Sequence, residues 1–331
     1  MLAWLCLARL STVRAVETTQ VDESASQPPV TALVLHPRGD LLIAGSQSGL
    51  QFYTWPELRP QQRQTTSVLQ MHDLAIDAGG QRLLVAGGEP AQSGRIELLD
   101  LQQREPNRTV RLGDDVVYRV RWAAQDRLIV AAGGDGMCRV VNAADFTERL
   151  AYRGHSRAVL ALTLLSAAAG DIQGDDSTRL QCLTGGVDMT LRLWNSHTGI
   201  TARTLENHVA PINDAALRPQ SKSTVLDWVA SISEDRTVRL WQPAIGRLVR
   251  FARLPSPPRA LAWSHDGERL YVACNDGEVR ELSFESLEVL RRFPGRVGRP
   301  HALLVDSQRA QLAVAGQHGV NAIMLPANPK P

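Results

Sequence analysis

Aromatic residues make up only 5% of this 331-residue chain, its four cysteines are scattered, and no apolar run reaches membrane-spanning length. Each shortage excludes something. Cys6, Cys138, Cys182 and Cys274 form no CxxC pair and have no histidine at zinc-ligand spacing, which argues against a zinc module or a disulfide framework. Cys182 and Cys274 fall in apolar runs and read as small buried hydrophobes. The 36 Lys and Arg nearly balance 34 Asp and Glu, so the formal charge is only +2 and no global field draws the chain to nucleic acid or acidic membranes. A charge-driven partner needs a local patch. The glycine pairs at Gly87-Gly88, Gly133-Gly134 and Gly185-Gly186 fit neither GxGxxG before a helix nor a Walker loop, so no nucleotide and no other cofactor is expected. No stretch of roughly 20 apolar residues predicts a membrane helix. At the N-terminus, Leu2 to Leu10 is short, is interrupted by Arg9 and follows no basic residue, with Val13-x-Ala15 the only cleavage-like pattern. Residues 1–15 are therefore read either as a truncated leader or as a frayed terminus. The expectation is a cytoplasmic body, with export through that leader as the alternative.

What is present is repetition. With 44% hydrophobic residues the chain can bury a large core, and one repeat array accounts for nearly all of it. Seven units recur, each with an apolar strand, a turn, a strand rich in Leu, Val and Ala, a tight turn, a third strand and a more polar fourth segment. The first comprises Val30 to Leu35, a turn over residues 36–40, Leu41 to Gly45 and Leu50 to Trp55; the second begins at Met71 and the third at Val116. Later units begin near Val159, Ile212, Pro258 and Pro300. Third strands end at Thr54, Leu99, Val141, Trp194, Trp241, Leu282 and Met324, in steps of about 41 to 53 residues. The longest steps contain polar insertions, residues 166–179 and 220–227, between first and second strands, and Glu89 to Gly94 lengthens the second-to-third turn of the second unit. Alternation such as Leu191 and Leu193 against Arg192, with abundant Val, Thr and Leu and Gly-rich turns, predicts β-structure throughout.

One four-stranded sheet cannot cover both its faces, so seven such sheets must stack around an axis, each burying its faces on two neighbours. The last unit has only three strands before Leu325-Pro326, and residues 16–27 precede the first strand without a partner. We therefore expect residues 16–27 to supply the outer strand of the last unit, within one domain spanning 16–326 and followed by a short tail at 327–331. If so, deleting residues 1–27 lowers the melting temperature; an unchanged melt refutes the closure.

The segments TGGVDMTLRLWN (184–195) and SISEDRTVRLWQ (231–242) resemble the core of a WD40 repeat, and the likeness extends with less specific residues over about Val16 to Pro326. In such repeats a His before the first strand, a Ser or Thr on the second, an Asp in the next turn and a Trp on the third form a hydrogen-bonded chain. His155, Thr184, Asp188 and Trp194 match in the fourth unit; His208, Ser231, Asp235 and Trp241 match in the fifth. The resemblance implies an all-β, seven-bladed propeller of four-stranded antiparallel blades. The chemistry agrees: Trp only donates, a carboxylate only accepts, and hydroxyl and imidazole join them. His, Asp and Ser are also the ingredients of a hydrolase triad, but a nucleophile is needed once and this set recurs, so a structural network is the better reading and no catalytic residue is assigned. Elsewhere Asp135 and Asp276 keep the turn acid without Trp, and Ser48 and His318 occupy that position in the first and last units.

His36 and His265 fall in turns, where turn chemistry explains them, and no His, Asp and Glu grouping has metal-ligand spacing. Arg291, Arg292, Arg296 and Arg299, with Arg247, Arg250 and Arg253 one unit earlier, mark fourth-strand segments. They read as a solvated edge or as a basic patch for an acidic partner, and they lack the aromatic interleaving that nucleic acid needs. Function is expected where loops converge at one mouth of the central channel. The residue just inside each first strand forms a ring of Thr31, His72, Tyr118, Leu160, Asn213, Arg259 and His301. Of these, His72, Tyr118, Asn213, Arg259 and His301, with Arg157 from a neighbouring loop, are the predicted partner-binding residues. The reading is a non-enzymatic scaffold for protein or peptide partners through its top face and rim, with a place in a larger complex a related possibility. The alternative is a propeller enzyme or small-ligand binder, such as a lactonase-like hydrolase with a metal at the channel mouth.

Overall fold

The computed structural model describes residues 28–102, 105–165, 180–219 and 226–326. Blade 1 comprises β1 (Val30–Leu35), β2 (Leu41–Ser46), β3 (Gly49–Thr54) and β4 (Pro60–Gln64). Blade 2 comprises β5 (Gln70–Ile76), β6 (Arg82–Glu89), β7 (Ser93–Asp100) and β8 (Glu105–Gly113). Blade 3 follows as β9 (Val117–Ala123), β10 (Leu128–Gly133), β11 (Cys138–Asn142) and β12 (Glu148–Tyr152). Blade 4 is β13 (Val159–Leu165), β14 (Gln181–Gly186), β15 (Leu191–Asn195) and β16 (Thr201–Leu205). Blade 5 is β17 (Ile212–Leu217), β18 (Val229–Ser233), β19 (Thr237–Gln242) and β20 (Arg247–Arg253), with a single turn of 3₁₀ helix over Pro243–Ile245. Blade 6 is β21 (Pro258–Trp263), β22 (Arg269–Cys274), β23 (Glu278–Ser283) and β24 (Val289–Pro294); blade 7 is β25 (Pro300–Asp306), β26 (Gln311–Gly316) and β27 (Gly319–Met324). Among the described residues six sheets have four antiparallel strands in sequence order and the seventh has three.

Second strands are buried along almost their whole length, because they lie mid-sheet with a neighbouring blade on each face; β10, for example, is buried at all six positions. Outer strands such as β16 are largely exposed. The core is divided into seven apolar clusters, one between each pair of adjacent blades. One of them joins Val30, Leu33, Leu42, Ala44 and Trp55 of blade 1 to Ala313 and Ala315 of blade 7. Among the described residues the ring is thus closed by packing. Trp55 Nε1 reinforces the seam by donating to Asp306 Oδ2 at 2.7 Å, across 251 residues of sequence. The expected closing strand, residues 16–27, lies outside the described residues.

Unit starts at Val159, Ile212, Pro258 and Pro300 coincide with strand starts. Residues 89–94 do not form a longer loop: the ladder runs out to Glu89↔Ser93, so the extra length extends the hairpin itself. The buried histidine of the first turn, His36, does more than shape that turn. Its Nε2–H donates to Gly80 O at 2.9 Å in blade 2 while Nδ1 accepts from Arg38 N. Arg218 Nε bonds Gly267 O at 2.7 Å between blades 5 and 6 in the same manner. Cys138, Cys182 and Cys274 are buried free thiols.

Candidate interaction site at the channel mouth

The repeated residues of blades 4 and 5 form the hydrogen-bonded chains that the motif requires. Trp194 Nε1 donates to Thr184 Oγ1 (3.1 Å), which meets His155 Nε2 (2.9 Å), and His155 Nδ1 meets Asp188 Oδ2 (2.9 Å). With the Thr184 hydroxyl donating to His155 Nε2 and Nδ1–H donating to the carboxylate, every group in the chain is used in one direction. In blade 5 the same path runs from Trp241 to Ser231 (2.8 Å), to His208 (2.7 Å), to Asp235 (2.8 Å). Each carboxylate also accepts from the incoming loop, Ser156 N for Asp188 and Val209 N for Asp235. Burial opposes ionisation of both acids, but the histidine and turn hydrogen bonds outweigh it and hold each carboxyl down at about 2. Burial lowers the pKa of His208, against the pull of Asp235. Thr184 and Ser231 are fully enclosed, so neither hydroxyl can meet a substrate.

The ring at the mouth has a common structural origin. In every blade the first-to-second strand ladder skips one residue, and the skipped residues are Thr31, His72, Tyr118, Leu160, Asn213, Arg259 and His301. A bulge turns the strand and re-aims the side chain at that point. Two of the seven donate from their side chains to a backbone carbonyl of the next blade: Thr31 Oγ1 to Met71 O (2.6 Å) and Asn213 Nδ2 to Pro258 O (2.8 Å). In both cases the acceptor immediately precedes the bulged residue of the next blade. Asn213 Nδ2 also donates to Glu234 Oε1, so both of its amide protons are engaged. Arg259 pairs with Glu234 at 2.8 Å and donates to Asn275 Oδ1. His72 and Tyr118 lie against one another with ring centroids 4.7 Å apart. Burial, then the nearby Arg119, push the pKa of His72 down to about 4, and burial with Arg299 lowers that of His301. Both imidazoles are therefore neutral at pH 7. Arg157 is exposed, in the loop between β12 and β13.

Beneath the ring lies a cavity of about 470 Å³ lined by first strands of several blades. It contains charged residues that sequence reading missed: Arg121 paired with Asp73, and Arg119 with Asp214 at 3.5 Å. Burial works against the charge of Arg119, but Asp214 and Asp73 more than restore it. Strict alternation sends residues after the ring positions to the other face. The bulge instead lets His72 and Asp73 both line the channel, as do Arg119 and Asp214 after their own bulged residues. The signal was adjacency to a ring residue. No group of three His, Cys, Asp or Glu side chains suited to a metal occurs among the described residues. No helix among them is long and apolar enough to cross a membrane.

The family described as WD domain, G-beta repeat matches residues 199–242, which cover the fourth strand of blade 4 and most of blade 5. The chain is similar to protein transport protein sec13 of Aspergillus clavatus, with 30% identity over 179 residues, 49% of this chain and 60% of that protein. It is also similar to THO complex subunit 3 of Arabidopsis thaliana, 26% identical over 145 residues, covering 43% of this chain and 41% of the relative. With human WD repeat and FYVE domain-containing protein 1 the identity is 28% over 112 residues, 30% of this chain and 25% of the relative. The matches thus span at most about three fifths of these relatives.

Proposed function

We propose that this chain is a WD40-repeat β-propeller and serves as a non-catalytic scaffold that binds protein partners at the channel mouth, as one subunit of a larger assembly. The observation that carries this reading is the bulge at the same place in all seven blades, which sets a ring of dissimilar side chains on a rigid frame. The recurring His–Asp pairs are the residues that most invite a hydrolytic reading, and they are held by buried hydroxyls and turn amides in two blades alike. Two relatives, a protein transport protein and a THO complex subunit, support the reading of membership in an assembly.

His72, Tyr118, Arg259 and His301, with Arg157 beside them, are the recognition residues in this reading, while Asn213 holds the wall on which Arg259 stands. Affinity purification followed by mass spectrometry, repeated with Tyr118→Ala, Arg259→Ala and His301→Ala combined, tests it. The expected result is loss of stoichiometric partners with an unchanged melting temperature. Retention of all partners by the folded triple variant refutes the site.

A further inference from the structure

The outer strand of blade 5, β20, is an unusual edge. Four of the other outer strands carry features that discourage strand addition: β4 begins at Pro60, β8 contains Pro106, β12 begins at Glu148 and β24 ends at Pro294, while β16, TARTL, lacks proline and acid too but has no large apolar side chain at its exposed positions. β20, with the sequence RLVRFAR, has neither proline nor acid. Its Phe251 is 63% exposed, flanked by exposed Arg247 and Arg253. The Phe251 ring stands 5.7 Å from the guanidinium of Arg239.

Backbone direction matters as much as side chains here. Leu254 N donates to Arg236 O, and the same ladder pairs Arg253 with Thr237 and Phe251 with Arg239. Antiparallel pairs alternate between bonded and non-bonded, so the N–H and C=O of Phe251 and Arg253 point away from β19, to the open edge. Next to this edge Arg203 of β16 packs beside Gly246. Neither β16, nor residues 243–246, nor β20 contains an acid. Arg203, Arg247 and Arg253 have no acidic partner among the described residues, whereas Arg291 pairs with Glu281 and Arg250 bonds Phe284 O. The basic segments noted in the sequence therefore divide. Blade 6 turns Arg291 inward, and blade 5 turns Arg250 onto Phe284 O but leaves Arg247 and Arg253 on the open edge.

We propose that β20 is the docking edge for an extended acidic segment of a partner protein, which adds to blade 5 as a further strand, its carboxylates against Arg203, Arg247 and Arg253 and an apolar residue on Phe251. Like charges facing one another across the pairing disfavour addition of a second copy of β20. A single aromatic offers no stacking series for nucleic acid. This surface lies on the rim and is independent of the channel mouth.

The test uses the full chain and a fluorescent extended peptide with Glu two positions from a central Val, so that both meet the same face, and further Glu at its ends, with the same peptide carrying Lys for Glu as control. Anisotropy should show binding of the acidic peptide alone, weakened about tenfold or more by Arg247→Glu with Arg253→Glu and by Phe251→Ala. Hydrogen exchange on the unmodified protein should show new protection at the amides of Phe251 and Arg253. Binding that survives charge reversal, protection at β27 in place of β20, or tighter competing binding by oligothymidylate each overturns the proposal.

Discussion

Blades 4 and 5 differ from blades 3 and 6 in how they hold the same turn. In blades 4 and 5 the turn acid is gripped by a histidine from the incoming loop, at 2.9 and 2.8 Å. In blades 3 and 6 no such histidine exists, and the acid is gripped by an arginine four residues later, Arg139 on Asp135 (2.7 Å) and Arg280 on Asp276 (2.6 Å). The residue after the acid differs in step. Gly136 and Gly277 take a left-handed conformation that suits glycine, whereas blades 4 and 5 impose φ of 65° on Met189 and Arg236. Across these four blades the acid is constant and the group that donates to it is interchangeable. Blade 2 extends the lesson: no acid stands in the turn of this hairpin, which opens its third strand with Ser93, and Glu97 on that strand takes over, accepting from Ser67 N (2.6 Å) and Ser67 Oγ (2.7 Å) of the incoming loop.

Breaking the histidine-type grip should have the largest effect. Asp188→Ala or Asp235→Ala strands an imidazole, a loop amide and a turn amide together, and should cost about 3 kcal/mol, the upper end for a buried polar group left unpaired. Chemical denaturation reads this directly, and a loss no greater than that of an exposed-site substitution refutes the account. Glu97→Ala leaves one amide and one hydroxyl unpaired and should cost about 1 to 2 kcal/mol, while Glu97→Gln, which keeps an acceptor, should cost less.

Acid titration distinguishes the blades without altering their packing. The folded pKa values of His208 and His72 lie below 6.5, so the unfolded chain binds protons more readily and stability falls as pH drops from about 6.5 through those lowered values. A second loss follows between about 4 and 2, as Asp188 and Asp235, depressed from 3.8 to about 2, are forced to protonate. Denaturation midpoints measured against pH should show both limbs, and Asp235→Asn should flatten the lower one. The smallest effect concerns the left-handed residue. Arg236→Gly should gain up to about 1 kcal/mol by relieving a conformation that disfavours side chains, and Gly277→Arg should lose about 1 to 2 kcal/mol; melting temperatures moving in the same direction for both refute the assignment.

Most of the fold was legible because a propeller repeats a local pattern. Strand alternation, turn glycines and the Asp–Trp spacing are set within about 45 residues, so Val159, Ile212, Pro258 and Pro300 could be named as strand starts before any coordinate. The ring positions were legible for the same reason, since each stands at the second position of its first strand, or at the third in β5. The charged lining was not. Asp73, Arg119, Arg121 and Asp214 reach the channel because a bulge interrupts alternation, and a bulge is a property of two paired strands. Glu97 was missed because its partner, Ser67, lies in another loop.

By itself, then, the sequence determined that this is a seven-unit β-repeat with two His–Asp–Trp blades whose polar residues belong to the frame. Hydrophobic periodicity and donor–acceptor complementarity are local and do not depend on knowing which blade is next to which. Tertiary structure alone decided how blade 7 meets blade 1 through Trp55 and Asp306, which arginines turn inward, and which edge stays open at β20. Those outcomes depend on closing the ring. Closure brings together side chains as far as 251 residues apart, and no sequence period encodes that contact.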